Sequence, residues 1–426
     1  MQIVAITLLL GGELMATLAC GCGGVNPCPV QRPCVHVQRG QTVKQAIDSL
    51  PTTGGVVYLG VGTWSSGYYY PDVISKPNIT IQGSGMANYN STFTALIDGT
   101  IVQGPLLASS GANYLTVRDL GIDAGSAYIN ANNNGVPTDG LALFNLGQVI
   151  GAPQLESPLI ENVSCLGYTP TSRVHCMLVE NVNHAYVHNV ATVMNTHGLA
   201  FKGTNSVIDG LFARGHHTDG LIIKNDIYAP SANDQVFNIN IQSLHSPTDT
   251  HGIILQSIGG SLENISIMHV HEDNVWAGFL VQGTSPSTMS RGMSFSDITV
   301  NYDAGNVAGS NGCFNFTGYV QQVSIASLNC LNMGYGIKPV VPAATFTDFR
   351  ITNSNFTNIA TYGIETYGAW TVLNTRFDNI VQNAIFNPFG VTTVSGNTFT
   401  NVGGSDMLAG GGTFVELTST PDETKR

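Results

Sequence analysis

THGLAFKGTNSVIDGLFARGHHTDGLIIKND, residues 196–226, contains one short phrase twice: THGLAFKG and, 22 residues later, TDGLIIKN. Each copy sets a polar residue before a glycine, an apolar alternation after it, and a lysine four positions past it. The phrase recurs in both directions along the chain. TDGLALFN begins at Thr138, VHCMLVEN at Val174, THGIILQS at Thr250, WAGFLVQG at Trp276, NGCFNFTG at Asn311, MGYGIKP at Met333 and TYGIETYG at Thr361. Aligned on the glycine or its replacement, the copies fall at 140, 176, 198, 220, 252, 278, 313, 336 and 363, spaced by 22 to 36 residues. One short strand per period of that length is the signature of a solenoid.

A second apolar run follows most copies, as in AYVHNVA (185–191), SVIDGLFA (206–213), NINIQSL (238–244), NISIMHV (264–270), MSFSDITV (293–300), VSIASL (323–328) and FRITNSNF (349–356). Two or three strands per turn, no long helical period and many Gly and Asn at the corners predict an all-β chain wound as a parallel β-helix. Successive turns of such a helix stack at roughly 4.8 Å, so residues sharing a column of the alignment become spatial neighbours.

The column just before the glycine reads Asp139, His175, His197, Asp219 and His251, then Ala277, Gly312, Tyr335 and Tyr362. Two positions earlier stand Arg173, Asn195, His217 and Asp249, and four after the glycine come Glu180, Lys202, Lys224, Gln256 and Gln282. Only six lysines exist in the chain and two share this register, while ten of the eleven histidines lie between 175 and 271. A purely structural face has no use for that concentration, so these coils are the expected site.

Charged residues make up 10% of the chain, against about 25% in ordinary globular proteins. Corners held by backbone and amide hydrogen bonds, rather than ion pairs, fit that economy. A net charge of −12 argues against nucleic acid as a partner. Residues 1–19 are apolar and end in small residues before Cys20, which reads as a secretory or lipoprotein signal with Cys20 as a candidate lipid anchor. No later stretch reaches the ~18 apolar residues of a membrane span. Eight cysteines fit an oxidising compartment. Cys165 with Cys176, and Cys313 with Cys330, are each within bridging range. The expected layout is a Cys-rich linker over 20–36, a β-helix domain over 37–415 and a polar tail over 416–426. The chain is expected to be a monomer, secreted or at the cell surface.

TVKQAIDSL, residues 42–50, reads as a short amphipathic helix with Val43, Ala46, Ile47 and Leu50 on one face. A helix at this point would cover the strand edges and core that the end of a solenoid exposes. Together with GGVVYL, GTW and ISKPNITIQGSG (74–85), this opening resembles the start of the pectate lyase-like superfamily. The resemblance implies a right-handed parallel β-helix that acts on polysaccharides, with an N-terminal capping helix. Within that superfamily, TDG at 138–140 and 218–220 is similar to the NTDG segment of polygalacturonase-type hydrolases, and THG at 196–198 and 250–252 to their GHG. Carried over, the resemblance makes Asp219 a catalytic aspartate and His197 or His251 the histidine beside it. The chain departs from those hydrolases in lacking their DD pair and RIK segment.

Glycoside hydrolysis needs one carboxyl that donates a proton and another that activates water or attacks, set ~5–9.5 Å apart. Asp219 and Asp249 sit on adjacent coils, two residues out of register, and are the expected pair, with His197 and His251 beside them. Asp139 lies three coils away, roughly 14 Å, and is assigned with His175, His217, Lys202, Lys224 and Arg173 to substrate binding. Trp276 and Tyr335 add a stacking surface for sugar rings. Isolated Asp–Gly pairs often only cap turns, and exposed lysines often only solvate a face; their convergence in one register favours chemistry. The two lysines leave open a lyase or epimerase acting on a uronan, with calcium as its expected ion, and a non-catalytic carbohydrate-binding or adhesion solenoid is the third reading. Hydrolysis implies no cofactor, and the histidines lack a compact metal-binding motif. His184, His188, His245, His269 and His271 fall on or after the second strands and are expected to face another side.

Overall fold

The computed structural model describes residues 31–69, 72–89, 95–96, 99–123, 141–143, 153–166, 175–193, 197–216, 218–225, 231–242, 251–302, 311–340 and 346–417. Strands from Cys34–His36 to Thr413–Glu416 belong to one 32-stranded parallel network. Among the described residues, one antiparallel ribbon, Asn88–Tyr89 with Ala95–Leu96, stands apart from it. The chain is the parallel β-helix that the repeat predicts.

Each coil in the middle of the chain contributes two successive strands. The first strands stack in the order His175–Asn183, His197–Thr204, Asp219–Asn225, His251–Ser257, Ala277–Gly283, Gly312–Gly318 and Tyr335–Val340. The second strands stack as Leu159–Leu166, Tyr186–Val193, Val207–Arg214, Gln235–Gln242, Ser266–Asp273 and Ser290–Asn301. Two columns of left-handed residues shape the coil. One lies at the corner between the strands (Asn78, Tyr114, Ser157, His184, Asn205, Asn233, Asn264) and the other bends the second strand at its middle, as at Asn162, Asn189, Asn238 and His269. Asparagine tolerates this conformation better than other L-residues. Its amide also bonds along the stack, Asn205 donating to Asn183 at 3.0 Å, Asn233 to Asn205 at 3.2 Å and Asn264 to Asn233 at 3.0 Å. The sparse charge is explained here: amide ladders hold the corners that ion pairs would otherwise hold.

Inside, the glycine column packs directly against an inward column of the second strands, Cys165, Thr192, Ala213, Ile241, Glu272, Val300 and Cys330. A Cβ at Gly198 would meet the Gly220 carbonyl oxygen at 2.3 Å, and one at Gly220 would meet Ile241 Cγ2 at 2.7 Å. Where the glycine is replaced by cysteine, the two columns are joined covalently, as Cys165–Cys176 and Cys313–Cys330. Farther along, the core is filled by rings, with Phe279 stacked on Phe314 at 4.4 Å and Phe349 on Trp370 at 4.3 Å.

The helix Val43–Ser49 covers the first coils with Val43, Ala46 and Ile47 buried. Thr42 and Gln45 form a capping box, and Lys76 donates to the carbonyls of Ile47, Asp48 and Leu50 at 2.7–2.9 Å. One ammonium thus satisfies three carbonyls at or just past the helix end, which otherwise lack intrahelical partners. Among the described residues no helix is long and apolar enough to cross a membrane.

Candidate functional site

The column of first residues is realised in the pairing register: His175 opposite His197, His197 opposite Asp219, Asp219 opposite His251, and His251 opposite Ala277. The glycine that follows each of His197, Asp219 and His251 takes the inward position against the second-strand column, and the core side chains come next, Leu199 with Phe201 and Leu221 with Ile223. The polar residue before the glycine therefore stands at the rim of the first-strand face.

Asp219 lies between two imidazoles. Its carboxylate accepts from His197 Nδ1 at 2.7 Å, and His251 Nδ1 lies 3.3 Å from the other oxygen, close but not aligned as a hydrogen bond. Asp219 is 3% exposed, whereas the two histidine side chains keep about a fifth of their surface. Burial is the largest influence on Asp219 and acts to raise its pKa. The contacts and charges of His197 and His251 outweigh burial and hold the carboxyl below its usual range. Asp219 is therefore an anion at neutral pH. Because both rings turn Nδ1 toward it, Nε2 is the nitrogen each leaves for a ligand.

The column continues at both ends. His175 stacks on His197 with ring centroids 4.5 Å apart, and its pKa is pushed down to about 3 by burial first, then by the charges of His197, Lys224 and Lys202. It is a neutral ring at physiological pH. Trp276 meets His251 edge-on at 5.9 Å. On the same face, Lys202 is ion-paired with Glu180, which sits opposite it in the register. Lys224 pairs in register with Gln256, whose amide donates to Gln282 at 2.8 Å. Between the two polar columns runs an apolar strip through Leu178, Ala200 and Ile222, each no more than 5% exposed.

The structure thus brings together His175, His197, Asp219, His251, Lys202, Lys224 and Trp276. Tyr335 stands farther along, opposite Gly312, with Lys338 4.2 Å over its ring and Tyr362 at 6.3 Å. The expected aromatic row is consequently in two pieces, because Trp276 precedes the column by one residue and Ala277 and Gly312 interrupt it. Asp249, Asp139, Arg173 and His217 lie outside the described residues. Among the second-strand histidines, His188 pairs with Asp209 at 3.1 Å and His269 lies 3.5 Å from Asp297, on the other face. Among the described residues no three His, Cys, Asp or Glu side chains are arranged to hold a metal ion.

Two carboxyls near this face were not singled out by sequence. Glu180 was visible in the lysine column but carried no assigned role. Glu272 is fully buried behind the site, its carboxyl so close that a Cβ at Gly252 would sit 2.1 Å from Oε1. Its signal was an acid at a position that Ile241 and Val300 fill with hydrocarbon.

No protein-family model and no curated protein matches the chain. Solved structures do. The catalytic domain of a GH87 alpha-1,3-glucanase, a substituted form in complex with tetrasaccharides, superposes with a TM-score of 0.64 at 14% identity, over 93% of this chain and 69% of that one. PfbA, a surface adhesin of Streptococcus pneumoniae, gives 0.51 at 14% identity, over 82% and 83%. The likeness is one of fold. It is the β-helix fold that the N-terminal motifs resemble, and at this identity it assigns no activity.

Proposed function

We propose that this chain is a secreted or cell-surface enzyme that hydrolyses a polysaccharide in the groove along the first-strand face. The observation that carries the reading is Asp219, buried, ionised and held between His197 and His251. An ionised carboxylate suits the base or nucleophile of glycoside hydrolysis and not its acid. Asp219 takes that role, and Asp249, two residues before His251 in the chain, takes the proton-donating role. His197 fixes the carboxylate through Nδ1, His251 flanks its other oxygen, and both offer Nε2 to sugar hydroxyls. Trp276 supplies a ring face beside them, and Lys202 and Lys224, with Arg173, His217, His175 and Asp139, bind the chain on either side. No cofactor enters this reaction. The glucanase neighbour, itself bound to tetrasaccharides, supports a glycan in the groove.

A second reading rests on the same pair of contacts. A histidine whose Nδ1 is held by a carboxylate is a competent base at Nε2, and with Lys224 nearby it suits removal of the C5 proton of a uronate. Calcium would then be the expected ion. Incubation with polygalacturonate, alginate and neutral glucans separates the two. New reducing ends without ultraviolet absorbance mean hydrolysis, and both together mean elimination. Tight binding with neither signal and no epimerised uronate in the recovered polymer would overturn both readings in favour of an adhesion solenoid.

A further inference from the structure

The corner column places a left-handed residue in each coil: asparagine at 78, 205, 233 and 264, and Ser157 and His184 in two of the others. In one coil it is Tyr114, at φ +63°. A tyrosine has no amide to join the ladder, and its bulk makes this backbone region costly. The ring is not part of the core, with 58% of its surface exposed. This exposed ring is available to a contact outside the chain. Beside it lies a groove of about 500 Å³, which Tyr114 lines together with Arg32, Thr53, Asn78, Thr80 and Thr116. Arg32 is the charged member of that lining, and one of its five donors is used on the Asn78 carbonyl at 2.5 Å. An aromatic face, an arginine and hydroxyls around one groove are the groups that recognise a sugar ring bearing a carboxylate.

We propose that this groove is a second glycan-binding site, taking a uronate unit with its ring on Tyr114 and its carboxylate on Arg32. It does not serve the reacting sugar. Four coils separate Thr116 from Gln235, the second strand of the Asp219 coil, which is about 19 Å along the axis. The groove also lies past the corner, off the first-strand face. It anchors a polysaccharide chain while the column works on the same chain or a neighbouring one. The sugar class rests on the reading of a polysaccharide substrate, whereas the site itself does not.

The test is electrophoresis through native gels cast with polygalacturonate, alginate or neutral dextran, comparing the wild type with Tyr114→Asn, Arg32→Gln and Asp219→Asn. Tyr114→Asn installs the residue the turn uses elsewhere, so the fold is retained and its melting temperature should hold or rise. Expected is retardation of the wild type and of Asp219→Asn by at least one uronan, weakened roughly two- to tenfold in Tyr114→Asn and Arg32→Gln. Turnover of short oligosaccharides should be unchanged in those two variants. The proposal fails if both migrate like the wild type, if no uronan retards the protein, or if Asp219→Asn alone abolishes retardation. Equal retardation by dextran, indifferent to Arg32→Gln, overturns the acidic ligand. A protein that turns over no glycan yet is retarded through Tyr114 sustains this site and sinks the hydrolase.

Discussion

Asp219 touches His251 from the neighbouring coil, and Glu272 lies behind Gly252, yet their environments drive them apart. Asp219 is held below the ordinary aspartate value of 3.8, so its contribution to stability is present above that value and disappears as pH falls through its folded pKa. Asp219→Asn is nearly isosteric and should reduce turnover by about 100-fold or more. Its melting temperature should trail the wild type at neutral pH, with the gap closing only as pH falls below 3.8 through the folded value. Full activity in this variant would remove the column from the chemistry. Glu272 behaves oppositely. Burial pushes its carboxyl well above the ordinary 4.5, and among the described residues neither oxygen has a hydrogen-bond partner. The folded chain holds this proton to higher pH than the unfolded chain does, so stability falls as pH rises above about 4.5. Glu272→Gln should melt at least ~2 °C higher than wild type at pH 7, with the gap closing below pH 4.5. Asp234, raised to about 7 by burial against partial opposition from Ser206 and Ser231, adds the same trend to both proteins and cancels in the comparison. The Asp219 cluster was legible because its members share one column. Glu272 was not, since a lone acid in HVHEDN reads as surface until the second strands are aligned by their inward positions.

At the scale of the strand, the glycine column decides how closely the two strands of a coil approach. Gly198→Ala would drive a Cβ into the Gly220 carbonyl at 2.3 Å and Thr192 Oγ1 at 2.8 Å, neither of which is the end of a flexible chain. The expected loss is about 2 kcal/mol or more in chemical denaturation. Gly60→Ala, whose Cβ would find its nearest atom at 3.9 Å, serves as the control and should be close to neutral. The disulfides are the same contact made covalent. Replacing Cys165 and Cys176 together by Ala and Gly, the residues at 213 and 198 in those columns, keeps the packing and removes the bridge. That variant should lose about 2–4 kcal/mol; no change in denaturation midpoint would mean that packing alone sets the spacing. The helix Val43–Ser49 and its buried face were readable from the 3.6-residue period. The left-handed bends inside the second strands were not, because an asparagine or histidine within an alternating run carries no local mark that distinguishes a bend from a solvent-facing position.

At the scale of the whole molecule, the first-strand face is a single track along the axis, polar at one end and aromatic at the other. Past Trp276, Ala277 and Gly312 leave the column before the glycine without bulky side chains for two coils. Tyr335, Tyr362 and Phe386 then follow, with successive ring centroids 6.3 and 4.9 Å apart. Six coil steps separate Asp219 from Phe386, about 29 Å at strand spacing. A polymer lying along the axis reaches both ends of the track, whereas a short oligosaccharide bound at Asp219 does not reach the aromatic end. Tyr362→Ala should therefore leave kcat/KM on the shortest cleavable oligosaccharide unchanged and lower it on the polymer by up to about tenfold, the range for loss of one ring contact. The measurement is a series of substrates of increasing length, with wild type and variant diverging only once the chain is long enough to span the gap at Ala277 and Gly312. An equal loss at every length would place Tyr362 in the support of the strand, and no loss at any length would mean that the polymer does not follow the axis in this direction.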